Sequence, residues 1–191
     1  PIPPACEIVG AIQSYVTRRV DAFDPAVVTV AKIRAGTTIN VVPEDALLIG
    51  TIRTVSAKTR AMVVKGVEEL AKGIALAHGC VAEVELVEGY PVTVNDDTMA
   101  GYLRGVATDL LGGDLVRVMQ APVMGAEDFS YVLNEIPGAM AFLGTMPKDH
   151  SGFVAPNHSN RMVINEDGMA TGVAVYAAAA LQFASNATDR A

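Results

Sequence analysis

The sequence predicts an α+β protein in which a ferredoxin-like unit lacking its first strand is followed by part of an α/β layer. Apolar residues with helical spacing alternate with short β-rich runs, and the first half has the order α-β-β-α-β. The ferredoxin-like arrangement runs β-α-β-β-α-β, so this order matches the unit from its first helix onward. A chain of 191 residues with 51% hydrophobic and 18% charged residues can form one large or two small domains.

A helix and a β-hairpin are predicted first. Apolar residues recur at helical spacing over residues 5–18, after a proline-rich start that suits a helix N-terminus. The runs VVTVAKI (27–33) and ALLIGTIRT (46–54) are rich in β-branched residues, and the connection between them ends in the turn-forming sequence PED. We therefore expect two strands that form a hairpin with a long loop.

A second helix and a third strand follow. Val63 and Val67 lie in helical register within residues 57–77, and Gly79 stands where a helix would stop. The run VAEVELV (81–87) alternates apolar with acidic residues, which is typical of a strand with one buried face. These two elements complete the α-β-β-α-β order.

The second half of the chain predicts part of an α/β layer. A boundary near residues 89–91 divides the chain into domains over 1–90 and 91–191, and Asn95 and Asp96 are candidate caps for the helix that follows. The other predicted elements are a strand over 116–120, a helix opening at MGAEDF (124–129), a strand over 139–143 and an alanine-rich helix over 169–188.

The alanine-rich segment is uncharged over the 20 residues that a membrane span needs. It is composed mostly of alanine with Thr, Gly, Gln, Ser and Asn, and it holds few strongly apolar residues. We therefore expect a buried helix of a soluble protein at residues 169–188, with no membrane partner.

Charge and cysteine content limit the partners and the compartment. The formal net charge is −7, from 14 Lys and Arg against 21 Asp and Glu, and no basic run occurs. This balance argues against nucleic acid and anionic membranes as partners. Cys6 and Cys80 lie on separate segments without metal-type spacing, so we expect neither a disulfide framework nor a zinc knuckle, and a cytoplasmic location.

His158 is one of three histidines and lies in a loop after Pro156, where periodicity does not explain it. By itself it is either a solvated loop residue or a metal ligand. A metal site needs three or four donors, whereas His78 lies at a predicted helix end and His150 in a separate loop. We expect that this chain cannot assemble a conventional metal site by itself.

The segment VMGAEDFSYVL (123–133) places Glu127 and Asp128 at a predicted helix start. Acidic residues there favour the helix dipole, which is a purely structural role. The alternative is that the backbone turn lines a pocket and that one carboxylate supports it.

Asn40 and Arg53 form another candidate pair, on the hairpin loop and near a strand end. An isolated arginine on a strand is usually a solvated edge charge. Arg53 shares its predicted face with Leu47, Ile49 and Thr51, so its guanidinium could instead project from a partly apolar surface toward a carboxylate.

Three ordered motifs resemble one enzyme family over essentially the whole chain. The motifs are INVVP with GTIR, then MGAEDFSYVLNEIPGAMAFLG, then PNHSN with INEDGMATGV. They resemble the C-terminal portion of bacterial N-acyl-amino-acid amidohydrolases, in the hippurate-hydrolase and indole-acetyl-amino-acid hydrolase branch of the carboxypeptidase-G-like metallopeptidases. The resemblance implies a catalytic α/β domain with two divalent metals, Zn or Mn, interrupted by a ferredoxin-like lid that forms a homodimer. Residues 1–90 would be the lid and residues 91–191 the closing part of the catalytic domain.

The resemblance also implies roles for individual residues. It makes His158 the last metal ligand, and it assigns Asn40 and Arg53 to the substrate carboxylate and Gly125 to Glu127 to the pocket wall. The general-base glutamate and the other ligands would lie upstream, so the chain alone should hold no metal and no catalytic residue. The implied reaction is hydrolysis of the amide bond of small N-acyl amino acids such as hippurate. A dipeptidase or aminoacylase on the same scaffold, or a non-catalytic dimerisation module, remains an alternative.

Overall fold

The computed structural model describes residues 1–149 and 152–188 of the protein. In chain order the elements are α1 (Ile2–Arg19), β1 (Ala26–Arg34), β2 (Leu47–Thr54), α2 (Ala57–Ala77), α3 (Asp97–Leu111), a short 3-10 helix (Gly113–Leu115), α4 (Phe129–Glu135) and α5 (Asp167–Thr188). The predicted hairpin and four of the predicted helices, α1, α2, α3 and α5, are confirmed with small shifts at their ends. The overall class, a mixture of helices with a sheet, is also as expected.

The hairpin is an antiparallel pair in which Val27 lies opposite Arg53. The register shifts between Val30 and Lys32, which marks a bulge in β1. A side chain at Gly50 would clash with the main chain of Thr29, since an added Cβ would lie 3.1 Å from its carbonyl carbon. Glycine is therefore required at this position of the pair.

Helices α1 and α2 pack on the hairpin and form the main core. The core residues are Ile8 and Ile12 of α1, Ala26 and Val28 of β1, and Val63 and Ala71 of α2. Prolines in the first turn suit the start of α1, and the Ser56 side chain accepts a hydrogen bond from the Thr59 amide at the start of α2. Gly79 lies just after the end of α2 and has a positive φ of 68°, a left-handed conformation with which helices commonly end.

Three predicted strands are wrong within the described residues. The segments 81–87, 116–120 and 139–143 join no ladder there, and the only sheet in the described part of the chain has the two strands β1 and β2. A strand needs a neighbour for its main-chain hydrogen bonds, and an alternating sequence does not provide one. Segment 81–87 consequently keeps Val81, Leu86 and Val87 exposed.

The fourth predicted helix begins later than expected, at Phe129 rather than at Met124. The main-chain oxygens of Glu127 and Asp128 accept bonds from the amides of Ser130 and Tyr131, three residues further on. These bonds make a tight turn ahead of α4, so Glu127 and Asp128 lie before the helix and not inside it.

Helices α3 and α5 contact each other through Tyr102. Its hydroxyl donates to the Ala179 carbonyl over 2.6 Å, and its ring meets that of Phe183 edge to face. Asp96 caps α3 by accepting from the Met99 amide, as its position in the sequence predicted. Val106 is the only buried hydrophobic residue of these two helices among the described residues.

Helix α5 forms where it was expected, but the prediction that it is buried is wrong. The stretch Asp167–Asn186 is long and apolar enough to cross a membrane by length and composition, and none of it is buried. Large side chains such as Val173, Tyr176 and Leu181 are exposed. Burial depends on what packs against a helix, and the described residues supply only α3 and the stretch around Leu143. The absence of a membrane partner stays a prediction.

The chain divides into two compact units. The first is Pro1–Thr93 with Gln120–Tyr131, and the second is Val94–Met119 with Val132–Ala191. The functional division into a dimerising lid over 1–90 and part of a catalytic domain over 91–191 stays a prediction.

Candidate functional site

Arg53 lies near the end of β2, on the face of the hairpin that points away from the helices. Leu48 and Ile52 pack toward the core, and strand alternation therefore turns Arg53 to the opposite side. Its Nη1 donates a hydrogen bond to the main-chain oxygen of Met124 over 3.0 Å, although the two residues are 71 positions apart. The guanidinium is exposed and is oriented by this bond.

The segment 123–128 contains the other two residues predicted to line a pocket. Gly125 has room for a side chain, since an added Cβ would contact only Val123 Cγ1 at 3.7 Å. Glu127 is exposed, and its main-chain oxygen accepts from both the amide and the hydroxyl of Ser130. Ser130 is fully buried, so this end of the segment is anchored while the Glu127 carboxylate faces solvent.

A second contact holds the neighbouring part of the chain within the first unit. The rings of Tyr90 and Tyr131 meet edge to face, with centroids 6.0 Å apart and an interplanar angle of 81°. Together with the Arg53–Met124 bond, this contact places the MGAEDF segment beside β2 and the 89–93 connection. Sequence reasoning identified Arg53 and Gly125 separately but missed the link, because its acceptor is a main-chain oxygen.

Asn40 lies in the long connection between β1 and β2. Its side-chain oxygen accepts a hydrogen bond from the Thr38 hydroxyl over 3.1 Å, which leaves the amide donors unused within the described residues. Its neighbours Ile39 and Val42 are almost fully exposed. Among the described residues no hydrogen bond joins Asn40 to Arg53, whereas a hydrogen bond links Arg53 to the 123–128 segment.

His158 lies at the third position of a four-residue turn, Pro156 to Ser159. The turn is closed by the Ser159 amide, which donates to the Pro156 oxygen over 3.1 Å. His158 has a φ of 70° and is the only described residue other than glycine with a positive φ. The imidazole is exposed, and no hydrogen bond reaches it within residues 1–149 and 152–188. It is free to act as a ligand.

The sequence predicted one metal ligand in this chain, His158. No group of three or more His, Cys, Asp or Glu side chains that could hold a metal occurs among them. His78 is engaged with Glu7, with 2.7 Å between Nε2 and Oε2, and His150 lies outside the described residues. A metal with three or four ligands would therefore need donors beyond His158 that this part of the chain does not supply.

The sequence and fold match known proteins over almost the whole chain. A model of the family described as Peptidase family M20/M25/M40 matches residues 7–182. The IAA-amino acid hydrolase ILR1-like 2 of Arabidopsis thaliana is 37% identical over 96% of this chain and 42% of its own length. Thermostable carboxypeptidase 2 of Saccharolobus solfataricus is 31% identical over 97% of the chain and 46% of its own length.

A solved structure agrees with these matches. The Bacillus subtilis YXEP protein, described as a dinuclear metal-binding peptidase from the M20 family, superimposes with a TM-score of 0.76 at 28% identity. The match covers 96% of this chain and 46% of that protein. The chain thus spans less than half the length of the proteins it resembles.

Proposed function

Because the chain belongs to peptidase family M20/M25/M40, we propose that it is part of a metal-dependent amidohydrolase that cleaves the amide bond of N-acyl amino acids. The observation that carries the substrate class is the Arg53 guanidinium, exposed and oriented by the Met124 oxygen. An arginine side chain has five N–H donors in a planar fork that matches a carboxylate. One donor is bound to Met124, so the others are available to the free carboxylate of an N-acyl amino acid.

The relatives support this substrate class. An IAA-amino acid hydrolase acts, by its name, on an amide between an acid and an amino acid, and a carboxypeptidase acts on a peptide at its carboxyl end. Both kinds of substrate present a carboxylate next to the amide that is cleaved. A fixed guanidinium beside the cleaved bond suits both.

The residues of this chain would take three roles. Arg53 and Asn40 would donate hydrogen bonds to the substrate carboxylate, which holds the amide in place. The segment from Gly125 to Glu127 would form the wall beside Arg53. His158 would supply one ligand to a divalent metal such as Zn or Mn, which when bound acidifies water and polarises the amide carbonyl. The resemblance assigns the general base and the remaining ligands to sequence outside this chain.

The test compares a substrate that has a free carboxylate with an analogue in which that carboxylate is replaced by an amide. The complete natural protein, loaded with Zn²⁺ or Mn²⁺, is assayed on N-benzoylglycine and on N-benzoylglycinamide. We expect the acid to be preferred by at least about tenfold in kcat/KM, and Arg53→Ala to abolish the preference by slowing only the acid. Equal rates on both substrates, or an equal loss on both in the variant, would remove Arg53 from carboxylate recognition.

Two alternatives are separated by the same preparation. A dipeptidase or aminoacylase on this scaffold would prefer dipeptides or N-acetyl amino acids to N-benzoylglycine. A non-catalytic dimerisation module would bind no metal and hydrolyse none of these three kinds of substrate.

The 191-residue chain alone should be inactive, since one histidine cannot hold a catalytic metal. We place the enzyme in the cytoplasm on the basis of its cysteine usage.

We further infer a homodimer through residues 1–90. The sheet in the described residues has two strands, each with an unpaired edge that can accept a partner strand. The resemblance makes this region a dimerising lid, in which the hairpin loop carrying Asn40 reaches across to the partner subunit. Sedimentation of the 191-residue chain should show self-association at high micromolar concentration, and a strict monomer would count against the dimer.

A further inference from the structure

The turn that carries His158 has a backbone conformation that histidine does not favour. With a positive φ at the third position only, residues 156–159 follow the pattern of a type II turn. That position selects glycine, or asparagine, because a Cβ in the left-handed region crowds the following carbonyl. In this chain the asparagine, Asn157, stands one position earlier, and the position that favours glycine or asparagine is occupied by His158.

Hydrogen bonds made by the residues that follow the turn support this conformation. After the turn, the Met162 amide donates to the Ser159 oxygen over 3.1 Å, and the Arg161 amide donates to the Ser159 hydroxyl over 3.2 Å. Further along, the Asn165 amide donates to the Thr145 oxygen over 2.7 Å. A residue in a sparsely populated backbone region persists when its surroundings determine it, and such residues concentrate at functional sites.

We propose that residue 158 is held in a strained left-handed conformation because this turn must present an imidazole, so that the protein gives up stability to position a ligand. The ring is exposed and makes no hydrogen bond within the described residues, which agrees with this reason because no such bond there offsets the backbone cost. The proposal rests on the metal-binding role of His158 under the proposed function. It adds that the metal-free fold would be more stable with glycine at this position.

The test measures unfolding of the 191-residue protein in urea with a chelator present. In H158G the ratio of folded to unfolded protein should rise about two- to tenfold, because glycine relieves the left-handed strain but adds freedom to the unfolded chain. The ratio should rise less in H158N, and it should not rise in H158A. The matched control is N157G, where φ is not positive and glycine should lower the ratio about two- to fivefold.

Bound zinc in the complete natural protein provides the second measurement, and it separates the two claims. Stabilisation by H158G in the chelated chain, with loss of zinc from the H158G protein, supports the proposal. No stabilisation of H158G over the wild type overturns the strain, whatever the zinc content. Stabilisation with zinc content unchanged shows that the proposed metal role of His158 is wrong, and it overturns the reason for the strain.

Discussion

The Nη1 of Arg53 donates a hydrogen bond to the main-chain oxygen of Met124, over 3.0 Å and across 71 residues of sequence. This bond joins the end of a hairpin strand to a loop that sequence analysis had identified independently. Two motifs that lie far apart in the chain thus become one surface in the first unit, and the guanidinium acquires a defined direction.

Arg53→Lys should keep the positive charge but lose the fork. Lysine presents a single ammonium group, so it cannot bond both the Met124 oxygen and a carboxylate in the planar arrangement of arginine. In the complete metal-loaded protein we expect kcat/KM on N-benzoylglycine to fall about 10- to 100-fold, mainly through KM. The measurement is steady-state kinetics, and the variant should retain its bound metal. A lysine variant as efficient as the wild type would show that charge alone suffices.

A mixture of two inactive variants should recover activity if Asn40 serves the partner subunit. Asn40→Asp sets a carboxylate against the substrate carboxylate, and His158→Ala removes a ligand, so each homodimer should be nearly inactive. After subunit exchange about half of the dimers are mixed and about a quarter of all sites are intact. A mass tag on one variant confirms the exchange. If exchange occurs and no activity returns, Asn40 acts in its own chain.

The effect of a substitution at Gly66 in α2 on stability should depend on Tyr15 in α1. The Tyr15 hydroxyl donates to the Met62 oxygen over 3.1 Å, and a Cβ at Gly66 would lie 2.6 Å from Tyr15 Cε2. Gly66→Ala must displace this ring, which offsets the roughly 1 kcal/mol that alanine gains over glycine inside a helix. In a Tyr15→Ala background the same change should stabilise, which gives a coupling of about 1–2 kcal/mol.

The control is Gly73→Ala in the same helix, where an added Cβ meets nothing within 4 Å. It should stabilise the protein by about 1 kcal/mol in both backgrounds, as judged by urea unfolding. Equal effects of Gly66→Ala with and without Tyr15 would contradict the close contact.

Asp24 should make stability depend on acidic pH. Its Oδ2 accepts hydrogen bonds from Thr59 Oγ1 and Ser56 Oγ, over 2.6 and 2.8 Å, and these bonds lower the pKa of Asp24 below its usual 3.8. A lowered folded pKa means that the contribution is fully present above the unfolded pKa and is lost as pH falls through the folded value.

Asp24→Asn should therefore destabilise the protein at pH 7 and match the wild type more closely as the pH falls below 3.8 and through the lowered pKa of Asp24. Asp45→Asn, at an exposed carboxylate of the hairpin connection, is the control and should have little effect at either pH. Urea unfolding at the two pH values makes the comparison. A penalty for Asp24→Asn that is as large in acid as at pH 7 would rule out an ionised Asp24 as its source.

The sequence by itself determined the elements whose causes are local. Helical spacing predicted α2, helical spacing with a cap candidate at Asp96 predicted α3, and β-branched runs predicted the hairpin. The motifs also indicated the family and the candidate residues, since these depend on residue identity and order. All of this information lies in residues that are close together in the sequence, within a few helical turns or within one short motif.

The tertiary structure decided whatever depends on a distant partner. Segments 81–87, 116–120 and 139–143 had suitable strand patterns, but a ladder requires another backbone beside them, and the described residues provide none. The burial of α5 likewise depended on its neighbours and not on its composition. The position of the Arg53 guanidinium was set by a carbonyl at Met124, which has no signature in the sequence because every residue carries one.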